Sequence, residues 1–134
     1  MGRWLTLLAC ALACLCGSAA AGGGGQGPVS FAGDIVPLLK RRCVACHITG
    51  QEPGLVSLVP KRAYGELVGV TSVQGPMIRV IPAEPENSYL YHKLLGSQLE
   101  AGGKGEAMPP GMPLLPDQQI GLFRRWIAQG ALDN

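Results

Sequence analysis

The chain is poor in aromatic residues, poor in charge, and has no long apolar stretch beyond its first residues. Two phenylalanines, two tryptophans and three tyrosines serve 134 residues, and Trp4 lies at the extreme N-terminus. A small domain with so few rings has little to fill a core, so burying a large flat group besides its own side chains would stabilise it considerably. Eleven basic residues face nine acidic ones, and no basic stripe of the kind that binds nucleic acid is present. Length allows one compact domain and leaves no room for a second full core. Internal repeats are absent.

What is there begins with a leader. Arg3 gives a positive start, residues 5–15 are apolar apart from Thr6, and Ser18-Ala19-Ala20-Ala21 supplies small residues at a cleavage site. This predicts a secretory signal over residues 1–21, and hence a periplasmic or otherwise exported protein. The apolar run is too short to span a bilayer. A lipoprotein leader is the alternative, with Cys14 after Ala13 as the acceptor, and only lipidation there would tether the protein to a membrane.

Cleavage after Ala21 removes Cys10, Cys14 and Cys16, leaving Cys43 and Cys46 as the only cysteines of the mature chain. A disulfide between them would close a very short loop and constrain almost no chain, so stability does not explain the pair.

Residues 22–29 read as a glycine-rich flexible linker, and residues 30–134 as the folded domain. Phe31, Ile35, Leu38 and Leu39 share one helical face, with Asp34 as cap and Pro37 in the first turn, predicting a helix from Ile35 into Cys43. Pro60 opens a second helix through Ala63, Tyr64, Leu67 and Val68, stopped by Gly69. Residues 70–81 show no period and read as extended loop. Asn87-Ser88 offers caps for a third short helix, and residues 98–116 form a long glycine- and proline-rich loop of the kind that carries function. Pro116 opens the last helix, with Ile120, Phe123, Trp126 and Ile127 as its buried stripe and Gly130 as its end.

Cys43-Val44-Ala45-Cys46-His47 has the C-x-x-C-H form that attaches c-type haem. Two cysteines three apart at a helix end can each form a thioether to the porphyrin edge, and the adjacent histidine can then ligate iron. Zinc would need four ligands from Cys43, Cys46, His47 and His92, two of them consecutive in sequence. A thioredoxin-like pair should follow a strand, whereas a helical face leads into Cys43. The expected cofactor is therefore one covalently bound haem c, with its iron on His47.

A haem that only carries electrons usually has a second axial ligand, and methionine raises its potential. Met108, stiffened by Pro109 and Pro110, is the expected distal ligand, with Met112 and Met77 as sulfur rivals. His92 reads as a half-buried surface histidine. Arg79, in the apolar stretch Met77-Ile78-Arg79-Val80-Ile81, is a candidate partner for a haem propionate, with Trp126 and Tyr91 as further donors. Lys40, Arg41 and Arg42 form either a basic collar that steers acidic redox partners or a solvated helix end complementing the dipole.

The chain resembles a class I c-type cytochrome domain, in particular the Planctomycete cytochrome C type. The resemblance rests on Asp34-Ile35-Val36-Pro37-Leu38-Leu39, the haem motif, Gly54-Leu55, Pro82-Ala83-Glu84-Pro85-Glu86-Asn87-Ser88-Tyr89-Leu90-Tyr91, Met108-Pro109-Pro110 and Trp126-Ile127-Ala128-Gln129-Gly130-Ala131. It implies an all-α cytochrome c-type fold of about four short helices and long loops around one haem, with first and last helices crossing beside it. His47 would be the proximal ligand, Met108 the distal one, and the Pro53 carbonyl the acceptor of the free His47 ring proton. Ala83 stands where the family often has glycine.

The resemblance implies an electron carrier rather than an enzyme, exchanging single electrons with redox partner proteins. Two other functions fit the same motif: a haem module of a larger exported redox complex, and a haem sensor or enzyme with an open distal site.

Overall fold

Ser30 starts the helical structure. Its hydroxyl accepts the Gly33 N–H at 2.9 Å while its own N–H donates to the Asp34 carboxylate, satisfying amides that a helix start leaves over. The computed structural model describes residues 27–134 and shows this start as a π-helical turn, Phe31–Ile35, running into α1, Val36–Arg42. The Val36 N–H reaches back to the Phe31 carbonyl, and Pro37, with no N–H to give, sits in the first turn of α1. The cap is thus Ser30 rather than Asp34, because the Asp34 carboxylate is spent on the Ser30 amide.

The expected leader, residues 1–21, and residues 22–26 of the expected linker lie outside the described residues. Val29, assigned to the linker by sequence, is buried, and its N–H donates to the Gln129 side chain. Packing therefore begins at Val29.

A tight 3-10 turn, Val44–Cys46, follows α1, and α2 covers Pro60–Leu67 with Ala63 and Leu67 buried. The segment between α2 and α3 has only isolated bridges, Val68 to Val80 and Thr71 to Ile78, so no strand forms among the described residues. After the 3-10 turn Pro85–Asn87, α3 covers Tyr89–Leu95 and ends on Gly96 in the left-handed conformation. Ser88 precedes α3 without capping it by its side chain: its hydroxyl donates to the Glu84 carbonyl and accepts the Ile81 N–H, both at 2.8 Å. The hydroxyl fastens the preceding loop instead.

The last helix, α4, covers Asp117–Ala128 and buries the expected stripe of Ile120, Phe123, Trp126 and Ile127. Phe31 packs on Trp126 with ring centroids 5.1 Å apart and meets Tyr64 edge-on at 5.3 Å. These rings lock the N-terminal turn to α4 and α2. The Asn134 side chain and carbonyl accept the amides of Phe31 and Ala32, so both ends of the domain close on each other. The described fold is all-α, and none of its helices is long and apolar enough to cross a membrane.

Candidate functional site

Beside the C-terminal end of α1 the domain opens into a cleft of about 260 Å³. Cys43, Cys46, His47, Pro53, Arg79, Met108 and Met112 all line it, although they come from segments more than sixty residues apart in sequence. Leu58, Leu67, Leu90, Leu94 and Leu115 give the cleft its apolar wall.

The cysteines stand where α1 gives way to the Val44–Cys46 turn. Both are thiols; Cys43 is half-buried and Cys46 exposed. Burial, and then the neighbouring Cys46, push the Cys43 thiol up to about 11 against the pull of Arg42. A thiol-exchange pair needs a lowered pKa to supply thiolate, so this environment disfavours the redox-pair reading.

His47 is buried. Its backbone carbonyl accepts the Leu58 N–H at 2.8 Å, and the Ser57 hydroxyl donates to the Ile48 carbonyl at 2.6 Å. Glu52 folds the intervening loop by accepting from the Thr49 amide and hydroxyl and the Gly50 amide. Those donors, led by the Thr49 amide, hold its carboxyl at about 2. Burial lowers the His47 pKa, opposed first by the Glu52 carboxylate; the ring therefore favours its neutral form, the form that binds metals. Its Nδ1 is buried and has no hydrogen-bond partner. Pro53 lines the cleft, and no hydrogen bond joins its carbonyl to this nitrogen.

Met108 is half-buried at the cleft, and its amide donates to the Lys93 carbonyl at 2.9 Å. Met112 also reaches the cleft but is 60% exposed, and Met77 lies outside the lining. His92 bonds to the Ser97 hydroxyl and the Glu86 carbonyl and does not line the cleft, so the four candidate zinc ligands do not converge.

The polar residues divide differently from expectation. The Arg79 guanidinium is buried and donates to the Glu66, Gly54 and Leu55 carbonyls, with the Glu66 carboxylate 3.5 Å away. Trp126 donates to the Leu132 carbonyl within the core, and Tyr91 lies beside Arg124. Neither lines the cleft. Arg41 and Arg42 are exposed at the cleft margin, whereas Lys40 lies off it.

Sequence reasoning missed Lys93. It is buried on α3, and its ammonium donates to the Lys104 and Glu106 carbonyls at 2.8 and 2.9 Å. The signal was available: Lys93 stands four residues after Tyr89 and three after Leu90, on the inward face of α3.

The residues present fit the group that the motif implies. A neutral histidine with an orphaned buried nitrogen, two thiols on one turn and a thioether converge on a cleft with an apolar wall and buried cations. No family model matches the chain, and no curated protein or solved structure matches it either.

Proposed function

We propose that this chain is an exported monohaem c-type cytochrome of the class I kind that carries single electrons between redox proteins. The observation that supports this reading is the convergence of Cys43, Cys46, His47 and Met108 on one cleft. The bound iron would supply the one-electron couple, alternating between ferric and ferrous states.

The residues divide the work. Cys43 and Cys46 would hold the group covalently, each through a thioether formed by adding its S–H across a vinyl double bond. His47 offers a neutral imidazole, and the apolar leucine wall excludes water, which limits solvent reorganisation when charge changes. Met108 supplies a thioether, a ligand that raises the potential relative to harder donors. Arg41 and Arg42, exposed at the cleft margin, suit brief docking of an acidic partner, since such charges act chiefly on association rate.

The reading is tested by making the chain with haem-attachment machinery and following rapid mixing with a small-molecule reductant, then an oxidant. One reversible electron per chain, with carbon monoxide excluded from the ferrous iron, is the expected result. Ready carbon monoxide binding would favour the sensor or enzyme with an open distal site.

A further inference from the structure

Two cations are buried in the cleft wall, and they are not equally matched. Arg79 has the Glu66 carboxylate beside it. Lys93 makes no such contact: among the described residues no carboxylate comes within ion-pair distance of its ammonium, the exposed Glu106 carboxylate acting on it only from farther off, and it is held by two neutral backbone carbonyls, 5.5 Å from the Tyr89 ring centroid. Lys93 is 5% exposed. A buried ammonium without a carboxylate in direct contact is unfavourable, and an ammonium has three donors, of which the carbonyls use two.

The surroundings also mark this end of the cleft as polar. A side chain at Gly105 would come within 3.3 Å of the Lys93 ammonium and 3.4 Å of the Gln74 amide nitrogen, so these two donors flank the same point. Gln74 and Lys93 both line the cleft. Lys93, Gln74 and Arg79 therefore bring cationic and hydrogen-bond-donating groups to the cleft lining, opposite in character to its leucines.

Resting on the covalent-haem reading above, we propose that Lys93 is the anchor for a carboxylate of the cleft's ligand, ion-pairing one haem propionate with Gln74 beside it. This gives the cation a carboxylate in direct contact and fixes which edge of the macrocycle turns toward α3. A cation so placed stabilises the electron-rich reduced state, so it also raises the reduction potential.

The test uses haem-loaded full-length protein and two variants. Lys93→Gln keeps donors for the Lys104 and Glu106 carbonyls but removes the charge; Lys93→Arg keeps the charge. With haem attachment verified by mass, the Gln variant should have a lower midpoint potential than the parent, and the Arg variant should stay close to the parent. A haem-bearing Gln variant with the parental potential would overturn the assignment, because a lysine that only pins the 104–106 loop would alter stability and not potential. If the Gln variant does not accumulate, resonance Raman decides between parent and Arg variant. A shifted propionate-bending band supports the ion pair, and an identical band overturns it. A parent chain without haem overturns both readings, whereas the unaltered potential overturns that of Lys93 alone.

Discussion

The Met108 amide donates to the Lys93 carbonyl at 2.9 Å, so Met108 itself is fastened to α3 through backbone, while the Lys93 and Tyr89 side chains hold the loop just before it. This bond survives any substitution of the Met108 side chain, which separates ligand chemistry from loop position.

Replacing Met108 with alanine should leave haem attached, lower the reduction potential and open the iron to added ligands such as imidazole. Replacing Met112, which is 60% exposed, should alter none of these. Optical titration with imidazole reads the difference, and reversed behaviour of the two variants assigns the sulfur to Met112.

The loop after His47 predicts an acid dependence. Glu52 has its carboxyl lowered from 4.5 to about 2, chiefly by the Thr49 amide. A group whose folded pKa is depressed contributes stability that is fully present above its unfolded pKa and is lost as pH falls through the folded value. The contribution should therefore disappear between about pH 4.5 and 2. Denaturant midpoints measured by circular dichroism across that window should slope in the parent, and more weakly in Glu52→Gln. Equal slopes would show that Glu52 does not govern the loop.

Ala83 adopts a φ of +67°, the left-handed conformation that favours glycine. An L-residue there costs about 1–2 kcal/mol, more than the roughly 0.5–1 kcal/mol by which glycine's greater unfolded-state freedom opposes folding. Ala83→Gly should thus stabilise the domain by about 0.5 kcal/mol. Equilibrium unfolding would show this as a higher midpoint with an unchanged slope.

Gly103 faces the opposite constraint. A Cβ there would stand 2.3 Å from the Tyr89 ring, whose hydroxyl donates to the Lys104 carbonyl. Gly103→Ala should force the ring off its seat and destabilise the domain by about 1–3 kcal/mol. Thermal unfolding is the readout, and a parental midpoint would mean that the loop yields freely.

These sites show what the sequence could and could not disclose. The stripe of α4 was legible because four large apolar residues recur at helical spacing between Pro116 and Gly130, and no competing signal intervenes. The start of the first helix is not legible, because Asp34 looks like a cap, while the hydroxyl that serves as one, on Ser30, lies four residues earlier and just before a π-turn that no periodicity announces. The motif residues carried their chemistry openly. The inward spacing of Lys93 on α3 is legible too, but the carbonyls of residues 104 and 106 that hold its ammonium come to it only through the folded loop. Tyr91 and Trp126 were chosen by residue type, and packing turned both away from the cleft.

The account stands most directly on one measurement: the intact mass and visible spectrum of the exported chain after full denaturation. A polypeptide heavier by one haem, keeping its colour in denaturant and losing both in the Cys43→Ala/Cys46→Ala variant, is the predicted result. A colourless parent with the mass of its amino acids alone, made where haem attachment is known to operate, would contradict it.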